Sequence, residues 1–319
     1  MLERLWYKQS WCCWLLWPLS LLYRGVVAIK AFGYRHAFFK TVNFPVPIIV
    51  VGNITVGGTG KTPFCIALCE YLKSQGYKPG LVSRGYGGQA NTWPQSVTAT
   101  SDPRWVGDEP LLLVRRTGCP MVVAPDRVAA VTMLLQQHEC DVVISDDGLQ
   151  HYRMGRNLEI IILDKVRGLG NGLCLPAGPL REARSRLKRV DMVIENGSTD
   201  MQIIAGHVYA LVDPQRQLLV NETQGKRIIA MAGIGHPQRF FSTLYELGFE
   251  FTPRSFPDHY RYTAIDLQAL DADIILMTEK DAVKCQQFND PRCYVLAISA
   301  KLDPALLLTL QQQLSYTIS

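Results

Sequence analysis

Apolar positions along this chain fall into short, nearly unbroken runs rather than strict alternation. Residues 47–51, 79–83, 120–124, 141–145, 158–163 and 191–195 are such runs, rich in Val, Ile and Leu. A strand buried on both faces reads this way, whereas a half-exposed strand alternates. Between the first two, residues 63–74 place Phe64, Ala67, Leu68, Tyr71 and Leu72 on one side of a helix. Further helices are expected near 109–115 and over 126–139. Strands alternating with helices predict an α/β fold with a mostly parallel sheet covered on both faces.

The same style recurs in smaller form after the turn at residues 214–215. A strand over 227–232, a helix over 237–247, a strand over 274–277, a helix over 281–288 and a late strand over 293–298 are expected. The 319 residues, 48% of them apolar, suffice for about two domains. The expected division is an N-terminal interfacial helix 1–35, a larger nucleotide-binding core 36–205, a hinge 206–225 and a smaller C-terminal α/β domain 226–319, with the late strand as a second connection.

Residues 11–23 are apolar and aromatic, but Arg24 ends the run well short of the ~20 residues a membrane-spanning helix requires. Arg4, Lys8, Arg24, Lys30 and Arg35 flank or interrupt it, and Trp6, Tyr7, Trp11, Trp14, Trp17 and Tyr23 suit a headgroup boundary. The expectation is an interfacial helix lying in the membrane plane, with a helix packed on the body of the protein as the alternative. No small-residue cleavage site follows, which argues against a signal peptide. The formal charge of +5 is too mild to indicate a nucleic-acid partner. Nine cysteines without metal-ligand spacing read as reduced packing residues of a cytosolic protein.

The strongest chemical signal follows the first run. Thr55, Val56, Gly57, Gly58, Thr59, Gly60, Lys61 and Thr62 lie between a strand and a helix. Glycines let backbone N–H groups turn around phosphate oxygens, a lysine reaches the β- and γ-phosphates, and a threonine hydroxyl can ligate Mg²⁺. This is a phosphate-binding loop, and it points to ATP or GTP. The common G-x-x-x-x-G-K-[ST] pattern would put glycine at position 55, where this chain has Thr55.

Asp146 and Asp147 end the run at 141–145, at the carboxyl edge where open parallel sheets bind ligands. They suit the nucleotide's Mg²⁺, although Asp-Asp-Gly is also turn chemistry. Asp108 and Glu109 open an expected helix, where Asp108 serves equally as a cap or as a base toward an acceptor hydroxyl. His259, in residues 256–260, and the basic Arg84, Arg127, His151, Arg153 and Arg181 carry the same ambiguity.

Taken in order, the stretches 50–53, 55–63, 83–87, 107–110, 146–151, 175–182, 256–260 and 278–281 resemble the tetraacyldisaccharide 4′-kinase family of lipid A biosynthesis. The resemblance covers nearly the whole chain, and the Thr55 form of the loop is the one that family uses. It implies transfer of the ATP γ-phosphate to the 4′-hydroxyl of a tetraacylated disaccharide 1-phosphate, at the cytoplasmic face of the inner membrane of Gram-negative bacteria. It further implies Lys61 as phosphate clamp, Thr62, Asp146 and Asp147 on the Mg²⁺ side, Asp108 as base and His259 as its partner. Arg84, Arg127, His151, Arg181 and Glu182 then line the cleft. The competing reading is a membrane-associated P-loop ATPase or GTPase switch. For a GTPase the Asn-Lys-x-Asp motif is missing, and residues 279–281 only echo it.

Overall fold

The computed structural model describes residues 6–7 and 11–318. Arg4 and Lys8, expected to flank the N-terminal helix, lie outside the described residues. One sheet of twelve strands runs through the chain. Its first half holds β1 (Ile48–Gly52), β2 (Pro79–Ser83), β3 (Gln95–Val97), β4 (Met121–Val123), β5 (Val142–Asp146), β6 (Leu158–Asp164) and β7 (Met192–Asn196). The second holds β8 (Met201–Ala210), β9 (Ile228–Ala232), β10 (Thr252–Ser255), β11 (Ile274–Thr278) and β12 (Cys293–Leu302). Across the sheet the order is β10-β9-β11-β12-β8-β7-β6-β1-β5-β2-β4-β3.

The helices are α1 (Trp17–Arg35), α2 (Lys61–Ser74), α3 (Pro103–Val106), α4 (Asp108–Thr117), α5 (Arg127–Gln137), α6 (Pro237–Glu246), α7 (Ala264–Gln268), α8 (Glu279–Cys285) and α9 (Pro304–Ile318). Every residue of β1, β2, β5 and β6 is buried, which is why their runs do not alternate. Ile49 and Val51 join Phe64 and Leu68 of α2 on one face, while Ile48 and Val50 join Val131 and Leu134 of α5 on the other. β1 is parallel to β5 on one side and to β6 on the other, so the connections from β1 to β2 and from β5 to β6 run in opposite directions across the sheet. The crevice that results lies at its carboxyl end.

The two parallel halves meet through an antiparallel ribbon. β8 pairs with β12 from Met201↔Leu302 to Ala210↔Tyr294, with a bulge between Leu296 and Ile298, whereas β7 touches β8 only at Asn196↔Met201. Residues 206–210 of the expected hinge are thus strand, and the late strand runs on to Leu302. Gln202 to Ile204, Gly206 and His207 are exposed, although Met201 and Val208 at either end of this stretch are buried. The last helix leaves the unit to which its position in the chain assigns it. Leu310 and Leu314 of α9 pack in the cluster of Phe64 and Leu68, and the Tyr71 hydroxyl donates to Leu307 O at 3.2 Å. α8 begins two residues before the expected start, because Thr278 accepts from Asp281 N and caps it.

The N-terminal helix corrects the sequence expectation. Arg24 ends the apolar run but not the helix, since an arginine on an exposed face propagates helix well and Pro18 sits in the first turn, where its missing N–H costs nothing. Cys13–Arg35 is long and apolar enough to cross a membrane by length and composition. One side of it is nevertheless fastened to the body. Ser20 Oγ donates to Cys174 O at 2.7 Å, Tyr23 Oη to Arg181 O at 3.0 Å and Lys30 Nζ to Gln150 O at 3.4 Å. The other side leaves Trp14, Leu15, Leu19, Leu22, Val26 and Ile29 exposed.

Candidate active site

The phosphate loop runs from the end of β1 to the start of α2, and two of its glycines have the left-handed backbone that side chains resist: Gly57 (φ 107°) and Gly60 (φ 96°). A Cβ on Gly60 would lie 2.6 Å from Asn196 Nδ2, and one on Gly57 would lie 2.5 Å from Arg167 Nη1. The loop is braced from outside. Asn196 Nδ2, at the end of β7, donates to Thr59 O at 3.1 Å, Val56 N donates to Pro179 O at 2.8 Å, and Thr55 bridges Leu180. Gly58 has open space where a Cβ would stand, and α2 aims its free N–H groups along the loop. Sequence reasoning missed Asn196; its one signal is a polar residue closing a strand at the ligand-binding edge.

Asp146 and Asp147 meet opposite fates at one strand end. Asp147 (φ 50°) lies 3.5 Å from Lys61 Nζ and accepts from Arg181 Nη1 at 2.9 Å on each oxygen. Burial would raise its pKa, but Lys61, Arg181 and Arg127 outweigh it and hold the carboxyl well below the usual range. Asp146 is buried, with the Cys65 thiol 3.8 Å from its Oδ1. Burial, then Glu109 and Asp147, push it up to about 7 against the pull of Lys61. Among the described residues no cation stands within ion-pair distance of Asp146.

The other candidates sort by their contacts. Arg127 is buried, donates to Ala124 O at 2.9 Å and Asp147 O at 3.3 Å, and is pushed down to about 10 by burial. Arg84 is exposed at the end of β2, close enough to add to that lowering. His151 turns instead toward Asp126, 3.4 Å away, where Arg153 also binds. Glu182 is buried in a polar network, accepting from Gln150 at 2.8 Å and from Tyr152, and paired with Arg186 at 3.3 Å. Gln150 also donates to Asn53 O at 3.2 Å and accepts from Arg181 Nη1 at 3.5 Å, so this network adjoins the site through Arg181.

Across the cleft, α4 delivers Asp108 as its first residue after Gly107, whose φ of 96° favours glycine. His259 Nδ1 lies 3.0 Å from both Asp108 oxygens. His259 is held at φ 57°, and its N–H donates to Gly233 O at 3.2 Å. A non-glycine residue in that region is costly, and such strain gathers at functional sites. Burial opposes both ionised forms; the shared hydrogen bond prevails, lowering Asp108 and raising His259. Next along the two helices, Glu109 pairs with Lys280 at 3.0 Å and Arg116 with Glu279. α4 of the first half is therefore laced to α8 of the second.

The arrangement combines a phosphate cradle, a cation-poor carboxylate and an acid–imidazole pair, the parts of a phosphoryl-transfer site. A family model described as tetraacyldisaccharide-1-P 4′-kinase matches residues 12–315. The chain is 49% identical over 313 residues to a tetraacyldisaccharide 4′-kinase of Alkalilimnicola ehrlichii, covering 95% of this chain and 94% of that one. It is 50% identical over 298 residues to the protein of that name from Coxiella burnetii, covering 93% and 90%. The crystal structure of "apo" form LpxK from Aquifex aeolicus in complex with ATP superposes with a TM-score of 0.79 at 29% identity, covering 96% of this chain and 99% of that one. This chain belongs to the tetraacyldisaccharide-1-P 4′-kinase family.

Proposed function

We propose that the chain is a lipid kinase that transfers the γ-phosphate of ATP to the 4′-hydroxyl of a tetraacylated disaccharide 1-phosphate. The observation that carries this reading is the Asp108–His259 pair standing across one cleft from the phosphate loop in a chain of this family. Lys61 and the loop N–H groups grip the β- and γ-phosphates, with Arg84, Arg127 and Arg181 as further guanidinium partners. Thr62, Asp146 and Asp147 would hold Mg²⁺, which supplies charge neutralisation on the phosphate oxygens. The donor set fits: two carboxylates and a hydroxyl, one carboxylate lacking a cation, with waters and phosphates left to complete the shell. Among the described residues no three His, Cys, Asp or Glu side chains converge on one point, so the protein alone supplies a partial shell.

Asp108 takes the proton of the acceptor hydroxyl as the new P–O bond forms, with His259 supporting it. The 206–225 region and the β8/β12 ribbon act as the hinge between a 36–205 core and a 226–319 unit, so that approach of the halves assembles the pair and excludes water. The exposed apolar side of α1 lies in the cytoplasmic face of the inner membrane, where an acylated acceptor presents its sugar without leaving the bilayer. The test is Mg·ATP turnover by full-length protein in detergent–lipid micelles, with and without tetraacyldisaccharide 1-phosphate. Acceptor-dependent phosphorylation, lost in Asp108→Ala, is expected; ATP turnover indifferent to the lipid would instead favour a switch-type ATPase.

A further inference from the structure

Lys280, the second residue of α8, stands at the centre of the contacts between the halves. Its Nζ lies 3.0 Å from Glu109 Oε1, 3.3 Å from Asp258 Oδ1 and 3.3 Å from His259 Nε2. An ammonium group has three donors and no acceptor. Its contact with Nε2 is a hydrogen bond only where that nitrogen bears a lone pair, and the proton of a neutral imidazole then sits on Nδ1, facing Asp108. We propose that Lys280 is a positioning residue for the phosphoryl transfer, fixing His259 as the Nδ1–H tautomer so that Asp108 alone receives the acceptor's proton. This rests on the reading of Asp108 as the base.

The geometry leaves His259 no vacant lone pair. Nδ1 spends its hydrogen on Asp108, and Nε2 accepts from Lys280. In the step itself the acceptor O–H bond breaks and its proton passes to the Asp108 carboxylate. The acceptor oxygen bonds to the γ-phosphorus, and the bond from that phosphorus to the bridging oxygen breaks, leaving its electron pair on ADP. An imidazolium in the same place would turn an N–H against the Lys280 ammonium and would hold the Asp108 charge in an ion pair, weakening the base.

The charged and titratable groups around His259 are Asp108 and Glu109 from α4, Lys280 and Lys284 from α8, Asp258 from its own turn and Tyr86 from the loop after β2. The Tyr86 ring meets the imidazole edge-on at 5.1 Å, and Lys284 Nζ lies 3.9 Å from Asp108. Of these, Lys280 alone opposes a proton on Nε2 by direct contact, against Asp258 Oδ1, which lies 3.8 Å from Nε2 and favours one. Glu109 and Asp258 in turn keep Lys280 charged and in place, raising its pKa despite burial.

Two readouts on full-length protein in lipid–detergent micelles test this. The ¹⁵N resonances of His259 at pH 8, assigned by their loss in His259→Asn, are expected to show the Nδ1–H pattern in wild type. In Lys280→Met they are expected to move toward the imidazolium pattern, since the ionised Asp108 carboxylate only accepts and keeps the imidazole's proton on Nδ1. The acid limb of kcat/KM is expected to rise by about one pH unit in Lys280→Met, as for a charge removed from contact distance. Lys280→Arg should bring most of the shift back, and in the His259→Asn background Lys280→Met should move no limb. A wild-type Nε2–H pattern overturns the proposal, as does a Lys280→Met enzyme with reduced kcat and an unmoved limb. Lys280→Gln, a neutral side chain that keeps a donor, replaces Lys280→Met in both readouts if the latter fails to fold. Failure of the base reading shows separately, as turnover surviving in Asp108→Ala.

Discussion

The two ends of the cleft are built by different means. The phosphate end is one continuous segment, residues 55–62, turned by Gly57 and Gly60 and braced by residues of the same sheet half. The acceptor end joins residues 151 positions apart, Asp108 and His259, through ion pairs between α4 and α8. Under the proposed function, a nucleotide would be gripped by the first half alone, whereas the base would be completed only with the second half in place. Such an arrangement would keep the nucleotide unreactive until both halves engage, the general use of closure in phosphoryl transfer.

Substituting one member at each end should separate these functions. Asp108→Ala is expected to lower kcat by about 10²–10⁴, the range for a lost general base, with ATP affinity unchanged by filter binding or calorimetry. Lys61→Ala is expected to weaken ATP binding as well as turnover. Equal losses of ATP affinity in both variants would show that the two ends are not independent and would break the comparison. Next in size is the lace itself. Arg116→Ala leaves the buried Glu279 carboxylate without its cation, and the pair's arginine is 26% exposed, so a loss of about 2–3 kcal/mol in urea unfolding is expected, the low end for a broken buried pair. Turnover should fall by about tenfold to a hundredfold through displacement of Asp108, while ATP affinity stays put.

Stability and rate should run in opposite directions with pH at the acceptor end. Burial alone would lower the pKa of His259, but Asp108 outweighs it and the folded-state value is raised. A raised value adds stability that is fully present below about pH 6.5 and is lost as pH rises through the folded-state pKa. Asp108, held below the usual carboxylate range, stays ionised throughout that window. His259→Asn should therefore destabilise the protein by about 1 kcal/mol more at pH 5.5 than at pH 8. Wild-type turnover should climb over the same interval as the imidazolium discharges. A His259→Asn penalty that grows with pH would contradict the assigned pair.

The same contrast explains what could be read from the chain. Residues 55–62 and the strand ending at Asp146 announce themselves because each is a local pattern, a glycine turn or an unbroken apolar run, and the fold class follows from repeating them. Lys280 and Asn196 do not, because their roles come from a register between strands far apart in sequence. The helix expected to reach residue 35 does end at Arg35, although its apolar run stops at Arg24, because the backbone continues wherever exposed residues have good helix propensity. His151 and Glu182 lie in the right region, yet their side chains turn to Asp126 and to the Tyr152 network. Spacing along a chain does not reveal that choice of direction.

The smallest effect concerns the path from α1 to the phosphate end. Tyr23 donates to Arg181 O, and the Arg181 side chain holds Asp147 beside Lys61, so one hydroxyl separates α1 from a carboxylate of the site. The bond is partly buried, and deleting the hydroxyl leaves a carbonyl that water can reach, so Tyr23→Phe should lower stability by no more than about 1 kcal/mol. If α1 merely anchors the protein, turnover in micelles and in vesicles should fall by the same small factor. If the docked helix also sets Arg181, the loss should be larger where the helix is loaded by a bilayer than where detergent surrounds it. That ratio, measured with wild type and Tyr23→Phe side by side, tells whether the phosphate end is as self-contained as its continuous sequence suggests.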